Sequence, residues 1–268
     1  MAGGDKEHKM LFDLRGGHRR NVVKVVYAVL AVLMGASLFL TVGPFSISEI
    51  FNSGGGSTDL AKPYEEEAER IEARLAKDPA NPKLLLSLTR SQLQAGNVEA
   101  TREPNGEVIL TTDSVQSYQQ ADQTWSEYLK ATDKPDPALA ALVAPMQIQL
   151  AEASTSYNQA DQRIAAAAET QEIVANERPT PNALVTLAFY TYFTGDTAAA
   201  EKARAEAKKL AKTDGQRKEI DEVLDEYKKN ASAYVAKKTQ AEKEQKAAGG
   251  GAPESLENPL SPGVGLGE

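Results

Sequence analysis

The sequence predicts an all-α protein: one N-terminal transmembrane helix, then a right-handed array of helix pairs, with disordered tails. Three observations carry this expectation. Residues 25–48 hold no charged side chain and run through Val25-Val26-Tyr27-Ala28-Val29-Leu30 to Leu38, Phe39, Leu40 and Val42. An apolar stretch of about 18 residues or more is long enough to cross a bilayer as a helix. From 59 to 247, apolar residues recur three and four apart in runs separated by prolines, the spacing that places them on one helical face. No second long apolar run follows, and 248–268 is Gly- and Pro-rich without any periodic face, a composition that cannot bury a core.

The leader, 1–24, carries Lys6, Lys9, Arg15, Arg19, Arg20 and Lys24 against Asp5, Glu7 and Asp13. Its net charge is +3, so a chain of net charge −8 carries −11 beyond it. Basic residues beside a spanning helix stay cytoplasmic. The expected placement is therefore a single-pass bacterial plasma (inner) membrane protein, N-terminus cytoplasmic and C-terminal domain extracytoplasmic. The apolar core is longer than a cleaved signal peptide's and ends without a small-residue cleavage triplet. Residues 25–48 thus read as a retained signal anchor in contact with membrane lipid, and Ala31 and Gly35 have the small-xxx-small spacing that pairs such helices.

Residues 49–58 include Ser53-Gly54-Gly55-Gly56-Ser57 and read as a flexible linker. The helical domain follows at 59–247. Pro63 suits a first turn, and Tyr64 to Lys77 aligns Ala68, Ile71 and Leu75. After Asp78-Pro79-Ala80-Asn81, a helix from Pro82 to Ala95 stops at Gly96-Asn97, a C-terminal signature. The insertion 98–113 contains Asn105-Gly106 followed by Val108-Ile109-Leu110, which reads as a hairpin or an exposed loop. Helix resumes at Ser114 with Val115, Tyr118, Ala121, Trp125 and Tyr128 on one face, and ends at Pro135-Asp136-Pro137. The next pair runs Pro137 to Glu152, with a kink expected at Pro145, and Ser154 to Asn176. Asn182–Thr194, Thr197–Lys212 and a last long helix from Asp214 complete the series.

Two segments align with one another. Pro82, Leu85, Leu88, Gly96 and Asn97 correspond to Pro181, Leu184, Leu187, Gly195 and Asp196, each 99 residues on. This resembles the tetratricopeptide repeat (TPR), in which amphipathic helix pairs stack because one pair cannot bury its apolar stripe alone. The resemblance spans roughly residues 60–230 and includes a middle unit that carries Ala151 near the turn-glycine position. It implies protein binding through first-helix positions facing away from the stack. These are Lys83, Ser87, Arg90, Ser91 and Gln94 in one repeat, and Asn182, Thr186, Tyr190 and Phe193 in the other. Trp125, Tyr190 and Tyr192 could anchor a partner, but their spacing fits core packing better.

The chain has no cysteine, and its two histidines, His8 and His18, both precede residue 25. Thiol redox, Cys–His and Ser–His–Asp catalysis and histidine-held zinc therefore have no residues in the helical domain. Acidic runs such as Glu65-Glu66-Glu67 and Asp221-Glu222 alternate with Lys and Arg and read as salt-bridged surface. No enzyme, cofactor or metal is expected, and the acidic balance argues against nucleic acid. The expected function is a membrane-anchored, extracytoplasmic adaptor for other proteins. The anchor-plus-repeat layout is similar to a TPR-like accessory subunit of the bacterial Sec translocon, which implies chaperone-like export work with the translocon or exported chains as partners. The competing reading is a cell-envelope scaffold that oligomerises through its membrane helix and C-terminal helix.

Overall fold

Three of the helix starts follow from one local device. Pro82, Pro137 and Pro181 each occupy the first helical turn, where a missing N–H costs nothing, behind Asn81, Asp136 and Thr180. Those three residues accept backbone hydrogen bonds as N-caps: Asn81 from Lys83 and Leu84, Asp136 from Ala138, Thr180 from Ala183. Thr111, Ser156 and Asp196 cap three further helices in the same manner.

The computed structural model describes residues 57–102 and 108–247. Within them lie eight helices: α1 (Ser57–Leu75), α2 (Pro82–Glu99), α3 (Thr112–Ala131), α4 (Pro137–Glu152), α5 (Tyr157–Glu177), α6 (Pro181–Thr194), α7 (Thr197–Leu210) and α8 (Asp214–Ala247). Between α2 and α3, β1 (Thr101–Arg102) pairs antiparallel with β2 (Val108–Ile109), Thr101 opposite Ile109. The Thr111 hydroxyl donates to the Glu99 carbonyl at 3.2 Å and closes the base of this hairpin.

The leader 1–24, the apolar stretch 25–48, the Asn105-Gly106 turn and the tail 248–268 lie outside the described residues. Among the described residues no helix is long and apolar enough to cross a membrane. The most apolar helices, α4 and α6, have only 16 and 14 residues, and the longer ones are interrupted by charge. The expected architecture is accordingly corrected: the described fold is an all-helical domain, and membrane, transmembrane-helix and signal-anchor descriptors form no part of it. The Gly/Ser linker expected to reach residue 58 gives way to helix at Ser57, so Pro63 sits inside α1 rather than in its first turn.

Helices adjacent in sequence are neighbours in space; α2 also touches α4, and α8 lies on both α6 and α7. Two apolar clusters result. The first joins Ile71 of α1, Leu85 and Leu88 of α2, Tyr118 and Trp125 of α3, and Leu139, Val143 and Leu150 of α4. The second joins Ala144, Ile148 and Ala151 of α4 to Ile164, Ala188, Phe189, Ala203 and Leu224 of α5 to α8. Helix α4 therefore contributes to both, and it continues as one helix through Pro145.

Candidate functional site

Lys83, Ser87 and Arg90 are exposed along α2, and Gln94 is half-buried. At 100° per residue these four share one face of the helix. Arg90 Nη2 lies 3.9 Å from Asp136, the cap of α4. Ser91 turns away from that face and is buried.

The corresponding positions of α6 do not form a matching surface. Asn182 is exposed and Thr186 half-buried, but Tyr190 and Phe193 are buried in the second apolar cluster. The reason is α8, which packs on α6 and brings Tyr227 and Tyr234 to it. The Phe189 and Tyr227 rings are 4.3 Å apart, Phe193 and Tyr234 5.8 Å. Burial, then the Glu152 carboxylate and Tyr227, push the Tyr190 phenol up to about 12. The expectation that Tyr190 and Phe193 face a partner is corrected, as is that for Ser91: all three belong to the packed interior.

Polar groups deep in the stack have structural partners. Asp122 of α3 pairs with Arg163 of α5 and accepts from Gln147 Nε2 of α4 at 2.7 Å. Trp125 Nε1 donates to Thr170 Oγ1 at 3.1 Å, and the Thr124 hydroxyl donates to Gln92 at 2.8 Å. Burial lowers the pKa of Arg163, which makes its pairing with Asp122 structurally important. On the far side, Arg204 of α7 holds Asp221 through Nε at 2.9 Å and Asp225 through Nη1 at 2.6 Å, and so fastens α8.

Grooves open on the surface at two corresponding places among the described residues. The first, about 350 Å³, has α1 and α3 as walls and α2 as floor. The second, about 400 Å³, lies among α5, α6 and α7. Their lining positions correspond. Ala68, Glu69 and Glu72 recur as Ala168, Glu169 and Glu172; Gln92 and Ala95 recur as Thr191 and Thr194. Asp113, Gln116, Ser117 and Gln120 recur as Ala199, Lys202, Ala203 and Glu206. The offsets are 100, 99 and 86, and the final drop reflects both the longer C-terminal end of α2 and the hairpin between α2 and α3. Positions at corresponding places in two sets of three helices thus line the two grooves.

The first groove is acidic. Glu65, Glu69, Glu72, Glu99 and Asp113 line it with no basic residue among them. The run Glu65-Glu66-Glu67 reads in the sequence as salt-bridged surface, but of these three only Glu67 is in an ion pair among the described residues, with Arg70 at 2.7 Å. Glu99 and Asp113 carried no local signal, because their convergence depends on three helices meeting. Among the described residues no group of three acidic side chains is disposed to hold a metal ion.

No protein-family model, no curated protein and no solved structure matches the chain.

Proposed function

We propose that the helical domain is a TPR-like adaptor that binds another protein through the outer face of α2. One observation carries the reading: the recurrence of groove-lining positions at fixed offsets in α1–α3 and α5–α7. Duplicated helix units stacked on a shared core are the construction of repeat proteins, whose use is to display an extended surface. Lys83, Ser87 and Arg90 stand exposed in a row on α2, with Gln94 at its edge, and supply a polar, net basic strip. Catalysis has no part in this proposal, since histidine and cysteine are missing from residues 57–247.

The test is a photo-crosslinking amino acid in place of Ser87 in the full chain, compared with one in place of Lys218 on α8. A discrete adduct with a second protein at position 87 and none at 218 is the expected outcome. Equal labelling at both positions, or adducts only between two copies of this chain, would overturn the adaptor reading.

A further inference from the structure

We propose that the groove between α1 and α3 is a binding site for an arginine or lysine side chain presented by a basic peptide segment. The site lies on the opposite face of α2 from Lys83, Ser87 and Arg90, so it stands apart from the adaptor surface proposed above.

Five carboxylates from three helices line the same groove. Glu65, Glu69 and Glu72 stand on α1, Glu99 ends α2 and Asp113 begins α3. None of them is in an ion pair among the described residues, whereas Asp122 pairs with Arg163, Asp221 with Arg204, and Asp161 of α5 with Lys238 of α8. Glu99 separates this groove from an ordinary acidic surface. It is only 7% exposed, lines the groove, and its Oε2 has no hydrogen-bond partner. A buried acceptor without a donor is costly, and here a ligand can supply the donor.

The chemistry of that ligand follows from the acceptors. Burial raises the pKa of Glu99, the Ser117 hydroxyl lowers it, and the carboxylates of Glu65 and Asp113 raise it again. A cation inserted among these three acids relieves both the burial penalty and their mutual repulsion. The carboxylates are spread over three helices, so an extended organic donor can reach several of them at once. A guanidinium offers five donors and no acceptor, and an ammonium three.

The second groove acts as an internal control. Glu99 lies in the last turn of α2, which has no counterpart in α6 because that helix ends at Thr194, and Lys202 brings a cation of the protein's own to the lining. It has the same construction without the buried carboxylate.

The experiment titrates the full chain at low salt with nona-arginine, its citrulline counterpart and spermidine, following binding calorimetrically. Nona-arginine is expected to bind and the uncharged citrulline peptide not to bind. Glu99→Gln should weaken binding about tenfold, and Glu172→Gln in the second groove should leave it unchanged. Should Glu99→Gln disturb folding, the exposed pair Glu69→Gln/Glu72→Gln provides the same test, with a weakening of about threefold or more. Spermidine, the free-amine source of the same chemistry, should bind more weakly than the peptide. Equal weakening by Glu99→Gln and Glu172→Gln would show diffuse attraction to a chain of net charge −8 and overturn the proposal. So would unchanged affinity in the groove variants, or spermidine binding more tightly than the peptide.

Discussion

Replacing Gly96 by alanine tests how α2 and α3 are joined. In an exposed helix this change stabilises, by about 0.5–1 kcal/mol. Here a Cβ would lie 2.4 Å from Tyr118 Cδ1, 2.5 Å from Cε1 and 3.3 Å from the Ser114 carbonyl. Tyr118 is 1% exposed, and its hydroxyl donates to Asn97 Oδ1 at 2.9 Å, so the ring cannot swing away freely. Forcing a methyl into a packed core costs about 1–3 kcal/mol, and loss of the hydroxyl's hydrogen bond about 1 kcal/mol more. Set against the helix gain, the net is a destabilisation of about 2 kcal/mol, or about 4–8 °C in Tm for a domain of this size. Urea unfolding of the full chain followed by circular dichroism reads it directly. Tyr118→Leu should relieve the penalty in the double variant, because it removes the ring edge that the methyl meets. Gly195→Ala meets nothing within 4 Å but has φ +87°, so it should cost about 1 kcal/mol with no relief from Tyr118→Leu. A Gly96→Ala protein as stable as the parent would refute the close-approach argument.

Trp125→Phe should destabilise by about 2 kcal/mol, since it removes the donor to Thr170 and leaves a buried hydroxyl unmatched; circular dichroism is the readout, the only tryptophan being lost. Asp122→Asn should cost about 2 kcal/mol in urea midpoint experiments, because the partly buried Arg163 charge then has no counter-ion. Burial raises the pKa of Glu152. Its protonated form is therefore favoured in the folded state, and stability is lost as pH rises through that raised value. Glu152→Gln should accordingly raise Tm at pH 7 and make no difference at pH 3. A gain that persists unchanged at pH 3 would show that charge is not its source.

Helix starts were readable because their chemistry is local. A capping residue followed by proline announces α2, α4 and α6 whatever packs around them. Gly96 was misread for the opposite reason. Gly-Asn suggests a helix end, yet α2 continues to Glu99, and the glycine's true role depends on Tyr118, which lies in the next helix. Only the aligned Gly195 is a left-handed cap. Tyr190 and Phe193 were assigned to a surface by analogy with α2, and no pattern within α6 could reveal that α8 covers them. The long helix from Asp214 was legible, but not that Ile220, Leu224, Ala231 and Tyr234 would turn inward onto the domain. The acidic groove was hidden for a similar reason, since Glu65, Glu99 and Asp113 become neighbours only after α1, α2 and α3 have packed.

Helix α4 gives Leu139, Val143 and Leu150 to one apolar cluster and Ala144, Ile148 and Ala151 to the other. Many solenoids can be trimmed or extended module by module, because each junction is a replaceable face. Among the described residues the helical domain offers no such cutting point between its two apolar clusters. A chain ending after α4 would bare a strip of small apolar side chains, and one beginning after it would lose the wall against which α5 and α6 settle. The two halves should melt together in a single transition, and genetic excision of either should yield insoluble product rather than a shorter working version.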